Sequence, residues 1–342
     1  MQLGENEIIN KIANIIVSPK SDICVLSHID PDGDTIGSGL ALYLMLKKSG
    51  HNVQIIVPNN IPDFLTWLPG CNEYIVATKN KSKAKEILQN SEFIFCIDFN
   101  HVDRTGFLKD ILLNSKASKI LIDHHPDPAI ISDIIYSKTE ASSTAELVFN
   151  IFNKSPLKEK IDADIAENLY VGIMTDTGSF NWAMNTPESY FFVGELLKYN
   201  LNQDKIHSLI YHNYSYNRQR LMGYALYEKL KYIPEYNTAY ISLTREELKR
   251  FKHKKGDTES FVNLPLQIKN VVFTALFIEK DNHVKISFRS KYPVEANKFA
   301  EKYFDGGGHK NAAGGSQYNL SMKDTLKKFE SLLPDFFNKI IK

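Results

Sequence analysis

Short apolar runs rich in β-branched residues alternate with helix-compatible segments through the first half of this 342-residue chain. Such alternation is typical of a parallel sheet with helices packed on its faces. The sequence therefore predicts a doubly wound α/β domain. Strands are predicted at residues 23–27, 53–57, 93–97 and 119–122, and helices at 39–49, 82–90, 143–153, 162–174 and from Thr186 onward.

The second half of the sequence has a different pattern. A polar, helical stretch at 202–231 is rich in Tyr, Asn and Gln and predicts a connector between domains. Beyond it we expect a smaller α+β domain, with Asp281-Asn282 as a hairpin turn. Its strands are predicted at 238–243, 271–279 and 284–289, and its helices at 293–303 and 322–339. The predicted domains are 1–195 and 232–342, with 196–231 as the connector.

The net charge of +1 results from two halves of opposite sign. Residues 1–195 contain 16 lysines and arginines against 25 aspartates and glutamates, a net −9. Residues 196–342 contain 25 against 15, a net +10. An acidic domain suits bound cations and a basic one suits phosphates, whereas the near-zero total argues against a protein that coats a long duplex.

Cysteine content and hydropathy predict where the protein works. The three cysteines, Cys24, Cys71 and Cys96, are odd in number and lack C-x-x-C spacing, which argues against a disulfide framework or a thiolate zinc site. No run of 18 apolar residues occurs, and the first 18 residues do not resemble a secretory signal. We expect a cytoplasmic protein without a membrane partner.

Acidic and histidine side chains are concentrated where predicted strands end. His28, Asp32 and Asp34 follow the first strand, and Pro31 and Gly33 bend the chain between them. Loops at the carboxyl ends of strands are where α/β sheets bind ligands. Taken alone, the segment could also be an ordinary Asp/Gly-rich turn whose carboxylates lie in solvent.

Three further segments carry the same chemistry. Asp98 follows another strand, Asp123-His124-His125 ends the next one, and Asp176 interrupts an apolar helix. Mixed His and Asp donors suit Mn²⁺, Mg²⁺, Co²⁺ or Zn²⁺. Six donors exceed the need of one ion that keeps a position for water, so the sequence predicts two ions with a bridging carboxylate. Two ions roughly 3.5–4 Å apart can bind both the attacking and the leaving oxygen of a phosphoryl group. The donors are His28, Asp32, Asp34, Asp98, His124 and Asp176.

A glycine-rich element, which we expect to be a loop, lies in the basic half, at residues 305–315. Gly306, Gly307 and Gly308 expose backbone N–H groups beside His309 and Lys310, so the element could bind an anion. A flexible hinge is the alternative interpretation. The two alanines that follow favour close packing over free movement.

The four acidic and histidine motifs resemble those of the DHH phosphoesterase superfamily. The resemblance implies that His28 and Asp32 hold one Mn²⁺, that Asp34, His124 and Asp176 hold the other, and that Asp98 bridges them. Mg²⁺ or Co²⁺ are the alternative ions. It assigns catalysis to Asp98, Asp123, His124 and His125. His125 would contact phosphate or protonate the leaving oxygen, unless it only orients Asp123.

The glycine-rich element resembles the signature of the DHHA1 domain, which accompanies one DHH subfamily. This implies an α+β DHHA1 domain across a cleft from the DHH domain. The substrate contacts that it implies are Arg289, Ser290, Gly307, Gly308, His309 and Asn311. Ser142, Ser143 and Thr144 could contact phosphate as well, although helix capping explains them equally.

A DHH domain paired only with DHHA1 is similar to the stand-alone nano-RNase and pAp phosphatase proteins. The resemblance implies hydrolysis of very short RNA, such as pApA, to mononucleotides, or of 3′-phosphoadenosine 5′-phosphate (pAp) to AMP. A cyclic di-AMP phosphodiesterase, an exopolyphosphatase and a non-catalytic nucleotide sensor are the alternatives. The expected partners are a short RNA or small nucleotide, and a homodimer stays open. A base is expected to stack on an aromatic ring that the sequence does not identify.

Overall fold

The computed structural model describes residues 4–128 and 132–340 and divides the chain into two units, Met1–Asn213 and Tyr214–Lys342. Strands and helices alternate through the first unit, as the apolar pattern predicts. Its elements are α1 (Glu5–Val17), β1 (Asp22–Leu26), α2 (Gly33–Lys48), β2 (Asn52–Val57), β3 (Tyr74–Val76), α3 (Lys81–Asn90), β4 (Phe93–Ile97), α4 (Lys109–Leu113), β5 (Ser118–Asp123), β6 (Ile134–Ser137), α5 (Thr144–Asn153), α6 (Ala163–Asp176), α7 (Pro187–Leu197) and α8 (Gln203–Tyr211).

The six strands of the first unit form one parallel sheet in the order β3-β2-β1-β4-β5-β6. The order reverses between β1 and β4, which neighbour each other although β2 and β3 lie between them in sequence. Ligands bind at such a reversal, beyond the carboxyl ends of the strands. The prediction of a doubly wound, mainly parallel α/β domain is confirmed.

Both faces of this sheet are buried. Along β1, Ile23 and Val25 face a core shared with α1, α2, α5 and α6, while Cys24 and Leu26 face the core beneath α3 and α4. Burial on both faces explains why the strands are almost continuously apolar. The three cysteines are free and buried, and burial raises the pKa of the Cys71 thiol to about 11.

Close packing of α2 against α6 brings the acidic ends of both helices together. A Cβ on Gly37 would lie 2.9 Å from the backbone nitrogen of Gly172, and one on Gly172 would lie 3.1 Å from Asp34 Oδ1. Only glycine fits at such separations. The glycine pair thus sets the distance between the start of α2 and the end of α6, where Asp34 and Asp176 lie.

The second unit is a mixed sheet in the order β11-β12-β10-β9-β8-β7, with only β8 and β9 parallel. Phenylalanines dominate the core on one of its faces, against α11 and α12. Its elements are α9 (Tyr216–Tyr224), a π-helical turn (Ala225–Lys229), β7 (Leu230–Ile233), β8 (Thr238–Leu243), α10 (Arg245–Arg250), β9 (Phe273–Glu279), β10 (His283–Ser290), α11 (Ala296–Tyr303), β11 (Gly307–His309), β12 (Ala312–Tyr318) and α12 (Met322–Ile340).

The structure differs from the sequence-based expectation at several places, and three of these differences bear on the two sheets and the candidate site. Helix α2 begins at Gly33 rather than residue 39, because the Asp32 side chain caps it by accepting from the Thr35 amide. Strands β3 and β6, short edges of three and four residues, were not expected. The glycine-rich element is a β-hairpin, β11 with β12, rather than a loop, and the backbones approach so closely that a Cβ on Gly308 would lie 2.6 Å from the Ala312 carbonyl oxygen.

Within the described part of the chain, none of the helices has the length and apolar character that crossing a membrane would require.

Candidate metal centre

The turn from β1 into α2 fixes the orientation of His28. The His28 ring is buried, with Nδ1 2.6 Å from the Ile29 carbonyl oxygen and Nε2 2.6 Å from Thr35 Oγ1. Because a carbonyl can only accept, Nδ1 donates to Ile29, which leaves Nε2 as the nitrogen available to a metal ion. An imidazole held in this way by a carbonyl is a typical metal ligand.

Asp34 is buried at the start of α2, where it meets the N-terminus of α5. Its Oδ2 accepts from the Thr144 amide at 2.7 Å and its Oδ1 accepts from the Ala145 amide at 2.8 Å. Burial raises the pKa of Asp34 well above the ordinary value, and the negative charges of Asp98 and Asp176 raise it further. Burial and the two neighbouring carboxylates therefore disfavour the charged form of Asp34 when no cation is bound.

Asp98 follows β4 in a left-handed conformation with φ of 63°, which is rare for a residue with a side chain. Two hydroxyls hold its carboxylate: Thr35 Oγ1 donates to Oδ2 at 2.5 Å and Thr144 Oγ1 donates to Oδ1 at 2.8 Å. Burial alone would raise its pKa, but the contact with His28 and the neighbouring His125 hold the pKa of Asp98 well below the usual range. Asp98 is therefore ionised.

His124 is directed at three carboxylates. Its Nδ1 lies 3.4 Å from the Ala141 carbonyl oxygen, and its Nε2 lies 3.3 Å from Asp176 Oδ2, 3.8 Å from Asp98 Oδ1 and 3.9 Å from Asp34 Oδ2. The three carboxylates come from different elements: Asp34 lies in the first turn of α2, Asp98 directly follows β4, and Asp176 ends α6. The sheet edge and the α2–α6 packing therefore bring predicted donors from distant parts of the sequence to one place.

His125 connects Asp123 to an arginine that the sequence analysis did not single out. Arg104 Nη1 lies 3.0 Å from His125 Nε2, and His125 Nδ1 lies 2.8 Å from Asp123 Oδ1. Because a guanidinium can only donate, Nε2 accepts and Nδ1 donates to Asp123. The second oxygen of Asp123, Oδ2, is buried and has no hydrogen-bond partner among the described residues. Both ring nitrogens of His125 thus have protein partners.

The donor atoms fall into groups that fit divalent cations. In each group the candidate atoms lie within 4.8 Å of one another. Buried carboxylates that repel each other, together with imidazoles fixed by carbonyls, are the environment that a divalent cation stabilises. The groups are His28, Asp32 and Asp98; Asp34, His124 and Asp176; and Asp98, Asp123 and His125.

In the second unit, the structure places two of the predicted substrate contacts, Arg289 and His309, on one face of the sheet. Arg289 on β10 and His309 on β11 are both register partners of Ala312 on the intervening strand β12. Paired residues on adjacent strands project to the same face. Ser290 and Asn311 hold the neighbouring turn: Ser290 Oγ donates to the Val294 carbonyl at 2.7 Å and accepts from Asn311 Nδ2 at 3.0 Å.

Comparison with known families agrees with this arrangement. Residues 22–173 match the DHH family, N-terminal domain, and residues 237–341 match the DHHA1 domain. The chain belongs to the DHH family. The first match includes His28, Asp32, Asp34, Asp98 and His124 and ends just before Asp176. The second match includes Arg289, His309 and the glycine-rich hairpin.

Relatives of this DHH protein span nearly its whole length. A probable bifunctional oligoribonuclease and PAP phosphatase NrnA from Streptococcus mutans is 29% identical and covers 91% of this chain and 94% of its own. The bifunctional oligoribonuclease and PAP phosphatase NrnA of Bacillus subtilis is 26% identical with the same coverage. The crystal structure of an exopolyphosphatase-related protein from Bacteroides fragilis superposes with a TM-score of 0.93, at 39% identity, and covers 98% of both chains. The DHH protein is therefore a phosphoesterase, a hydrolase whose site can hold metal ions.

Some residues of this DHH site could not be predicted from the sequence. Thr35 and Thr144 hold Asp98, and Arg104 holds His125, through contacts between segments far apart in sequence. Ser143 caps α5 by accepting from the Glu146 amide, and Ser142 donates to the Glu146 carboxylate. Of these residues, only Thr144 had an indication in the sequence, because it is one of three hydroxyl residues at the predicted start of a helix.

Proposed function

We propose that this protein hydrolyses very short oligoribonucleotides, such as pApA, to mononucleotides, and pAp to AMP. The observation that carries the proposal is the position of Asp98 between two groups of candidate metal ligands. Its Oδ1 lies 3.8 Å from His124 Nε2, and its Oδ2 lies 3.4 Å from His28 Nε2. The names of the two NrnA relatives, which align over 91% of this chain, support the substrate class.

The proposed cofactor is a pair of Mn²⁺ ions, with Mg²⁺ or Co²⁺ as alternatives. His28 and Asp32 would hold one ion, Asp34, His124 and Asp176 the other, and Asp98 would bridge them. When bound, such ions supply Lewis-acid stabilisation of the phosphoryl oxygens and activation of water. The ionised Asp98 suits the bridging position, since a carboxylate with two donor hydroxyls still offers lone pairs on both oxygens.

The chain's own residues would position the phosphoryl group beside this centre. We assign Arg104 a contact with the phosphoryl oxygens, because a guanidinium has five N–H donors and the contact to His125 uses one. His125 is then a positioning residue between Arg104 and Asp123. The hydrogen bond from His125 Nδ1 to Asp123 fixes the orientation of the imidazole ring. The fixed ring in turn orients the Arg104 guanidinium, which donates to Nε2.

In the second unit we assign recognition of a phosphate that is not cleaved. Arg289 and His309 share one sheet face beside the glycine-rich hairpin. An arginine can make a bidentate, charge-assisted contact with phosphate. The net positive charge of residues 196–342 supports the attraction of an anionic substrate to this unit.

A substrate panel tests the proposal. The purified protein would be incubated with Mn²⁺ and equal concentrations of pApA, pAp, cyclic di-AMP and polyphosphate, with EDTA as the control. We expect AMP from pApA or pAp at the highest kcat/KM. Preferential turnover of polyphosphate would favour the activity suggested by the name of the Bacteroides fragilis relative. Tight binding of pApA without turnover with any ion would instead indicate a nucleotide sensor.

A further inference from the structure

An exposed tryptophan lies beside the metal centre. After α6 ends at Asp176, the chain turns back so that Trp182 Nε1 donates to the backbone carbonyl of Asp176 at 3.0 Å. The side chain nevertheless remains 48% exposed. A large aromatic ring is thus tied by its polar edge to a residue whose carboxylate belongs to the candidate metal centre.

The loop that carries Trp182 is held in a strained conformation. Gly178, Ser179 and Phe180 are consecutive left-handed residues, with φ of 55°, 60° and 65°. Backbone hydrogen bonds fix it: Ser179 N donates to Met174 O at 2.8 Å, and Trp182 N donates to Thr177 O at 3.1 Å. Strain of this kind persists where the surroundings enforce it, and it is concentrated at functional sites.

Glycine at position 178 makes room for the indole. A Cβ at this position would overlap the six-membered ring of Trp182, so the ring lies directly against the glycine backbone. The apolar anchor of the loop is a different residue: Phe180 packs on Tyr170 with ring centroids 5.5 Å apart and joins the core. Core packing therefore does not explain why an indole is held at position 182.

We propose that Trp182 is a specificity-determining residue that stacks on a nucleobase of the bound substrate. The inference rests on the proposed function and identifies the feature that selects nucleotides over base-free phosphates. Stacking accepts any base, because every base has a π face, which suits an enzyme that degrades short RNA of mixed sequence. A ring held by its N–H and by Gly178 loses little freedom on binding, which favours affinity.

Tryptophan fluorescence tests this assignment directly, since the chain has only two tryptophans, Trp67 and Trp182. In Trp67→Phe the remaining indole reports on position 182, and in Trp182→Phe it reports on position 67. Each variant would be titrated with AMP and with ribose 5-phosphate in Mg²⁺. We expect AMP to quench the Trp182 reporter and ribose 5-phosphate to leave it unchanged. Equal quenching by both ligands, or quenching of the Trp67 reporter alone, would overturn the proposal.

Affinity provides a second readout. Trp182→Leu should raise the dissociation constant for AMP roughly 5- to 150-fold, and Trp182→Phe should retain most of the affinity. Circular dichroism establishes that both variants fold. Unchanged AMP affinity in Trp182→Leu would contradict stacking. The proposed function is judged separately, by turnover of pApA and pAp in wild-type protein, so either conclusion can fail without the other.

Discussion

Thr35 Oγ1 donates a hydrogen bond of 2.5 Å to Asp98 Oδ2, which links the first turn of α2 to the end of β4. The same hydroxyl lies 2.6 Å from His28 Nε2. One threonine thus orients a carboxylate and an imidazole that we assign to the metal ions. Thr144 performs the equivalent task on the other oxygen of Asp98.

Removing either hydroxyl is expected to weaken the metal centre. Thr35→Val and Thr144→Val should each lower Mn²⁺ affinity or activity roughly 10- to 100-fold, as observed for groups that orient metal ligands. Calorimetric titration of metal-free protein measures this effect. Thr325→Val is the matched control, because the buried Thr325 in the first turn of α12 donates its hydroxyl to the carbonyl of Ser321, the residue before that helix. Equal losses in all three variants would contradict the assignment.

Arg104 should affect catalysis more than metal binding. Replacing it by methionine removes the donor to His125 Nε2 and the proposed phosphate contact. We expect kcat/KM for pApA to fall roughly 10- to 100-fold, the loss typical of one charge-assisted hydrogen bond, with Mn²⁺ affinity nearly unchanged. Arg104→Lys should recover part of the loss. A large drop in metal affinity in Arg104→Met would indicate instead that the residue maintains the metal centre.

Arg289 should contribute to substrate binding. Arg289→Ala removes the proposed contact with the remote phosphate, and KM for pApA should rise roughly 10- to 100-fold with little change in Mn²⁺ affinity. Arg245→Ala is the matched control, since Arg245 is an exposed arginine of the same unit whose guanidinium pairs with Asp281. If Arg289→Ala lowered Mn²⁺ affinity as much as substrate affinity, the assigned role would be wrong.

The raised pKa of Asp34 predicts a pH-dependent stability of the metal-free protein. A carboxyl that binds its proton more tightly in the folded state stabilises that state less as pH rises from the ordinary value of 3.8 through the raised pKa. The melting temperature of the metal-free protein should therefore fall as pH rises above the ordinary value of 3.8, and Mn²⁺ should remove the fall. Asp98 contributes no slope in that window, because its pKa is lowered and its stabilising effect is lost only below the ordinary value.

Asp34→Asn provides the control for this pH dependence. The variant lacks the titrating group, so the metal-free protein should lose part of the slope in melting temperature. An identical slope in wild-type protein and in Asp34→Asn would show that other groups, such as histidines, cause the dependence.

The sheet could be predicted from the sequence, and the candidate metal ligands could be proposed from it, because both depend on local patterns. Strands buried on both faces are continuously apolar, and donors such as Asp98 and His124 directly follow them. It did not reach Thr35, Arg104 or Trp182, whose roles arise from contacts that only the folded chain creates. Glycine has low strand propensity, which explains why the hairpin of β11 and β12 was expected to be a loop.

The most direct test is reconstitution of metal-free wild-type protein and Asp98→Asn with Mn²⁺, followed by assay on pApA with chromatographic detection of AMP. We expect wild-type activity to return in full only when a second equivalent of Mn²⁺ binds, and Asp98→Asn to stay at least roughly 100-fold slower at saturating Mn²⁺. Full activity of wild-type protein in EDTA, or wild-type rates in Asp98→Asn, would contradict it.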